Sequence, residues 1–391
     1  MATQPVVEDF TLSVYRGMQG LRALERRWSE LARRLDPPAF YQCTAWYRAY
    51  LAGLESDPEQ VYFFAYAAGE RLAAVFPLKW KRWRRYGIEL GCLELPEHSH
   101  ANLADFVCTR SSDNAALLHR LIADLRHMPD LPWDALRLTR VPEDGVIGYC
   151  LAQVHPPRLV SFVDGESHYI ECDAPYESIA GRMPGPFRRN LGRLRRRAEA
   201  LGRLEFRSYS SPETLCHAFD AFLEMEASGW KGRTASAIAC VPRVRRFYDT
   251  LMTEFGTSGQ CVINELSLDG LPVASQFCLH VGRTLAVLKI AFRESHRHIA
   301  PGNLLFDQVL RDCCERPDIT SMTFVTAPKW DHPWRPATRA LYTHKAFNTT
   351  WRGLLVYALT RGRVFAARSW RWVRLGQEKD TKRWIEADAR R

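Results

Sequence analysis

No run of about eighteen uncharged apolar residues occurs anywhere in this 391-residue chain, so a membrane-spanning helix is excluded. The opening, MATQPVVEDFTLSV, lacks a basic start followed by a long apolar run, and no signal peptide is expected. The 11 cysteines include no Cys-x-x-Cys spacing, and the only adjacent pair is Cys313-Cys314. That usage fits neither a zinc ribbon nor a disulfide framework, and it points to a reduced, cytoplasmic protein whose thiols are small buried hydrophobes. The His-x-His of His98 and His100 has no third ligand nearby; both imidazoles are expected in solvent, and no metal is expected.

What is present is enough apolar surface for two domains. The chain exceeds one typical domain, and 46% hydrophobic with 12% aromatic residues gives each half a normal core. Lys and Arg number 54 against 44 Asp and Glu, a net charge of +10 that suits CoA, an anionic membrane, a diphosphate-linked substrate or RNA and chooses none of them.

Order along the chain is more specific. A strand is expected at 10–16, then a helix over 21–35 with Leu21, Leu24, Trp28, Leu31 and Leu35 on one face, ended by Pro37-Pro38. A second helix runs over 44–54, capped by Thr44, and a strand pair, VYFFAYAAGE and RLAAVFPLKW, turns at Gly69. YGIELGCLEL supplies a third strand, and further elements follow at 113–127, 135–141 and 145–155. The strand RLVSFVDGESHYIEC bridges to the second half. There the order recurs: helices at 212–228 and 242–255, then a hairpin about Asp269-Gly270. Helix, helix, hairpin repeated once is the mark of a duplication.

The second half alone adds a phosphate-binding turn. Strands CVINELSLDG, LPVASQFCLHVG and RTLAVLKIAF lead through RESHRHIAP into an apolar-faced helix, GNLLFDQVLRDCCE. Pro301-Gly302 stands where that helix begins, and the N–H groups of a helix start suit an anion. The first half instead continues PEHSHANLADFVC, without a Gly-led helix.

Arg297-His298-Ile299-Ala300-Pro301-Gly302 resembles the acyl-CoA loop of the GNAT acyltransferases, Gln/Arg-x-x-Gly-x-Gly/Ala, with Ala300 in place of the first Gly. KIAFRESHRHIAPGNLL is also similar to the Ser-Pro-Gly-x-Leu-Leu loop of the branch named for cellulose-biosynthesis acetyltransferases (CelD/BcsL-like). Two tandem units, one with the loop and one without, resemble the Fem-type aminoacyltransferases, which move an amino acid from aminoacyl-tRNA to a peptidoglycan precursor. The resemblance implies two tandem GNAT-like α/β (α+β) domains, each a mixed, mostly antiparallel sheet flanked by helices. Their expected spans are 1–160, degenerate, and 161–355, catalytic, with a basic Trp-rich helical tail over 356–391.

It also implies a site. Ile290, Ala291, Phe292, Arg297, Ala300, Gly302, Asn303 and Leu304 are expected to hold acetyl-CoA or another acyl-CoA. Attack of an amine or hydroxyl on the thioester needs backbone donors, a base and an acid. Tyr342 or His344 is expected as the acid, with His344 as the base or, if buried, Glu226 or Glu265. Trp230, Lys231, Lys289, Trp330, Asp331 and Lys345 are expected toward the acceptor, Trp330 and Asp331 on a proline- and tryptophan-rich loop.

Two basic segments stand out: FRRNLGRLRRRAEALG, expected to bury Phe187, Leu191, Leu194, Ala198 and Leu201, and the tail after Arg361, together with KWKRWRRYG at 79–87. The function expected is acyl transfer from CoA to an amine or hydroxyl of a sugar or lipid-linked saccharide, in the cytoplasm and peripheral to the membrane. The alternatives are Fem-like transfer from aminoacyl-tRNA and a non-catalytic adaptor on membranes or RNA; no DNA partner is expected.

Overall fold

The computed structural model describes residues 10–363, without the side chains of Ser112, Trp230 and Lys231. In the first half, β1 (Thr11–Arg16), α1 (Gly17–Ala32) and α2 (Thr44–Ala49) precede β2 (Val61–Ala68), β3 (Arg71–Arg85), β4 (Ile88–Glu94) and β5 (Val107–Cys108). Then come α3 (Ser112–Asp124), β6 (Ala135–Pro142), α4 (Val146–Val154) and β7 (Leu159–Glu171). The second half opens with α5 (Tyr176–Arg182), α6 (Gly185–Glu199), β8 (Leu204–Tyr209), α7 (Pro212–Ser228), α8 (Trp230–Arg233) and α9 (Pro242–Gly256). It continues through β9 (Cys261–Leu268), β10 (Leu271–Val281), β11 (Thr284–Phe292), α10 (Pro301–Glu315), β12 (Ser321–Thr323) and β13 (Ala337–Phe347).

Local chemistry explains most of these elements. Leu21, Leu24, Trp28 and Leu31 recur at helical spacing and are all buried on α1. Asp269 and Gly270 both take positive φ (50° and 78°), the geometry that turns a tight hairpin between β9 and β10. Three expectations shift. The first helix begins at Gly17 rather than at 21, β3 carries the basic run 79–85 as strand, and Leu201 stands 51% exposed because α6 has ended before it.

One sheet joins the halves, in the order β1-β2-β3-β4-β6-β13-β7-β12-β11-β10-β9-β8, with β5 on β3. Each half lends its last strand to the other: β13 pairs with β6 of the first half, and β7 pairs with β12 of the second. The expected division after residue 160 falls inside the exchanged β7. The duplication shows in the pairing itself. β4 meets β6 in parallel over Cys92–Glu94 and Ala135–Arg137, as β11 meets β12 over Thr284–Ala286 and Ser321–Thr323.

The halves also share a core. Trp28, Trp46 and Phe63 of the first pack in one cluster with Phe222, Phe247 and Phe277 of the second, and Trp46 meets Phe247 edge-on at 5.4 Å. Of the expected tail, a helix covers 351–363, and the remainder, 364–391, lies outside the described residues. Among the described residues no helix is long and apolar enough to cross a membrane.

Gly53 marks a close approach of the two halves, since a Cβ there would lie 2.4 Å from the Phe247 backbone nitrogen. Gly53→Ala is therefore expected to destabilise the whole chain by about 1–3 kcal/mol, read as a lower midpoint in denaturant with the transition still single.

Candidate active site

The parallel pairing of β11 with β12 stops after three residue pairs, at Ala286 and Thr323. Beyond it the strands part. Val325 has φ +64°, rare for a β-branched residue, and the Thr326 N–H donates to the Phe324 carbonyl at 2.6 Å across it. This tight turn swings the chain away from β11. It is held in place because the Phe324 N–H donates to the His168 carbonyl (2.9 Å) and the His168 N–H donates to the Thr326 carbonyl (3.1 Å).

A cavity of about 600 Å³ fills the gap. Val287, Leu288, Lys289, Ile290 and Phe292 form one wall, and Phe324, Thr326, Pro328 and Trp330 form the other. On its far side β11 pairs with β10, where the register slips between Phe277 and Cys278 and leaves Leu288 as an extra residue. Such a bulge re-aims the strand beside a site.

Arg297, Ala300, Gly302 and Asn303 make the rim. Ala300 sits in the left-handed region (φ 48°, ψ 57°) at the start of α10, where a glycine would cost less. Its carbonyl accepts from the N–H groups of Asn303 (2.9 Å) and Leu304 (3.2 Å), and its own N–H donates to the Arg297 carbonyl (3.1 Å). Pro301 has no N–H, so the amides expected to face a phosphate around Ala300 to Asn303 narrow to that of Gly302, because the others turn back into the chain. The remaining expected donor-site residues, Ala291 and Leu304, are buried in the two cores on either side of the sheet.

The aromatic loop folds as a short turn over Lys329–Trp334. Trp330 reaches the cavity and is braced edge-on by Phe306 (5.7 Å) and Phe324 (5.4 Å). Asp331 does not line it. Its carboxylate is wholly buried and meets His168 Nδ1 at 2.7 Å, which ties the loop to β7. Burial pushes the Asp331 pKa up, and His168 and then His332 draw it partly back. The ligand atoms of His168, Asp331 and His332 lie within 4.8 Å of one another; the 2.7 Å contact already uses one His168 nitrogen.

Other expected residues stand elsewhere. Tyr342 and His344 belong to the exchanged strand β13, stacked with centroids 5.8 Å apart. His344 faces Ser161, whereas the end of β12 faces Tyr169, eight residues and roughly 25 Å further along β7. The resemblance placed them after a loop, but the chain here returns as a strand into the first half. His344 is buried with Nδ1 2.8 Å from Ser161 Oγ, and burial lowers its pKa to about 4. Lys345 lies over Trp83 and Phe162, at 5.7 and 5.0 Å. Glu226, buried on α7, accepts the Ile238 N–H at 2.8 Å. The side chains of Trp230 and Lys231 are outside the described residues.

The corresponding gap in the first half is closed by its own chain. After β4, the Leu95 N–H donates to the Arg137 carbonyl, and Glu97 bonds the Arg137 guanidinium and the Thr139 hydroxyl. The same loop then reaches the second half. His100 Nδ1 lies 3.2 Å from the Tyr248 hydroxyl on α9. His98 is half-buried, and burial followed by the charges of Arg243 and Lys289 lowers its pKa. Neither histidine is the solvent-exposed group expected, because a partner 148 residues away covers the loop.

Sequence reasoning missed Phe324, Thr326 and His168. The strand TSMTFVT was visible; that it breaks at Val325 was not, because nothing local in a Val marks a positive φ.

Residues 186–334, within the second half, match the family model described as an acetyltransferase (GNAT) domain. Among solved structures the chain is similar to FemX, at 11% identity and TM-score 0.58, over 86% of this chain and 98% of that one. It is similar to L-PGS from Bacillus licheniformis at 12% identity and TM-score 0.51, over 85% and 96%. A domain from Agrobacterium fabrum assigned to a lysylphosphatidylglycerol synthetase is similar at 13% and 0.51, over 87% and 96%. No curated protein matches. At these identities the likeness concerns the fold, a mostly antiparallel mixed sheet flanked by helices.

Two outcomes test these placements. Ala300→Gly is expected to raise stability by up to about 1 kcal/mol in a denaturant melt, since it relieves a left-handed alanine. For His344 the folded pKa lies below the unfolded one near 6.5, so the unfolded chain binds the extra proton. Stability is then lost as pH falls from about 6.5 to about 4, by on the order of 3 kcal/mol, and His344→Gln should flatten that part of the pH–stability curve.

Proposed function

We propose that the second half transfers an acyl group, acetyl in the first instance, from a CoA thioester to an amine or hydroxyl of a sugar or lipid-linked saccharide. The observation that supports this most directly is the parting of β11 from β12, which leaves a groove beside unpaired strand with a glycine-led helix start at its mouth. The pantetheine arm would lie along the free edge of β11, whose backbone N–H groups polarise the thioester carbonyl. The pyrophosphate would meet the Gly302 N–H and Arg297. The acceptor's nitrogen or oxygen forms the new bond to the carbonyl carbon, the C–S bond breaks, and CoA leaves as a thiolate that takes up, directly or through water, the proton the acceptor gives up. Lys289 and Trp330 fit the acceptor side of the groove. Tyr342, His344 and Lys345 receive no step, being far along the exchanged strand. The sugar class rests on the CelD-like resemblance of the loop alone.

A second reading, transfer from aminoacyl-tRNA, is favoured by the likeness to FemX along most of the chain and by the exposed Arg188, Arg189, Arg193, Arg196 and Arg197 of α6. Here the same groove would hold the aminoacyl ester, and binding would weaken steeply with salt.

Calorimetry separates them. CoA and acetyl-CoA should bind the wild-type chain saturably and Gly302→Glu at least about tenfold more weakly, since an acid replaces the approach of an anion. Gly302→Ala, whose added carbon meets only Phe292 at 3.9 Å, should fold normally. No heat with either ligand at millimolar concentration would overturn the CoA reading, and turnover of aminoacyl-tRNA in its place would establish the second. Unchanged function in Gly302→Glu would leave a non-catalytic adaptor.

A further inference from the structure

The helix over 351–363 is docked by one side and bare on the other. Gly353 and Val356 are buried, and Tyr357 packs with Phe347 at 5.7 Å. On the opposite side, Trp351, Leu354, Leu355 and Leu359 are 67%, 43%, 42% and 40% exposed. Their spacing places them on one stripe, and with Ala358 and Gly362 between them the stripe has no polar interruption. Four of the ten large apolar side chains exposed among the described residues thus stand together on a single helix.

Cations flank the stripe on both sides. At 100° per residue Arg361 falls beside Leu354, and Arg352 and Arg363 fall beside Leu359. Arg352 lies over the Trp351 ring at 5.3 Å, and Arg363 over Tyr86 at 5.7 Å, which joins the helix to the tip of the β3–β4 hairpin and to Arg85. From Thr349 to Gln377 the sequence contains six Arg and no Asp or Glu.

We infer that this face seats the protein on an anionic lipid bilayer, with the Trp351–Leu359 stripe among the acyl chains and Arg85, Arg352, Arg361 and Arg363 at the phosphate level. An apolar centre bordered by cations matches a surface that is apolar inside and anionic at its edge. RNA would satisfy the arginines and leave the leucines in water. A second copy would set like-charged flanks against each other. The inference does not rest on the donor or the acceptor proposed above, and flotation, its deciding readout, requires neither.

The test is flotation of the full-length chain with vesicles of phosphatidylglycerol in phosphatidylcholine and with phosphatidylcholine alone. Wild-type protein should float with the anionic vesicles, less so in high salt, and remain in solution with the neutral ones. Leu355→Asp with Leu359→Asp should lower the bound-to-free ratio at least about tenfold, the loss expected when a large apolar anchor no longer enters lipid, while the denaturant midpoint is unchanged. Arg352→Glu with Arg361→Glu, which leaves every buried residue intact, should abolish the preference for anionic vesicles and guards against a misfolded leucine variant. Wild-type protein that stays in solution with anionic vesicles overturns the inference. So does flotation undiminished in both double variants, which would assign lipid binding to another segment, or a dimer that the leucine variant converts to monomer without altering flotation, which would assign the stripe to a second copy.

Discussion

The Thr326 N–H to Phe324 carbonyl bond, closed across Val325, is the contact on which the site depends. If the chain continued β12 in regular extended form, the parallel ladder with β11 would run on and no groove would exist. A positive φ at a buried valine costs about 1–3 kcal/mol, so the surroundings must hold it. They do so through His168, whose N–H and carbonyl bond Thr326 and Phe324 and whose ring meets the buried Asp331. A residue of the exchanged strand thereby fixes both ends of the wall that faces the cavity, and Trp330 is carried into position by the loop that Asp331 anchors.

The two halves share this framework and differ in what occupies the gap. Each has a three-pair parallel ladder flanked by a borrowed strand. In the first half the chain after β4 fills the opening, with Glu97 neutralised by Arg137. The arginine that pairs with this half-buried carboxylate comes from the strand across the gap. The loop then contacts α9 through His100 and Tyr248, so the closed half shapes the surroundings of the open one.

Much of the framework was legible along the chain. Period-2 and helical spacing, together with turns such as Asp269-Gly270, mark the elements, and Pro301-Gly302 marks the rim. These signals are local, and what depended on distant pairing was not legible. Tyr342 and His344 read as following a loop at the site because their sequence neighbours do, although β13 crosses to β6 and carries both away. His98 and His100 read as solvent groups because nothing near them in sequence shows Tyr248. Lys289 and Trp330 do line the cavity, since a strand entering the rim and an aromatic loop after β12 each point to the groove without knowledge of the topology.

The exchanged strands also determine what can be excised. The segment that matches the family, 186–334, contains neither β7 nor β13. Removed from the chain, β12 would present an unpaired edge, His168 would no longer grip Phe324 and Thr326, and the turn at Val325 would lose its anchor. Such a fragment would be an open-edged sheet prone to self-association, without a formed groove. The smallest piece that can preserve the groove therefore has to bring the other half's last strand with it, which binds the fate of the closed copy to that of the open one.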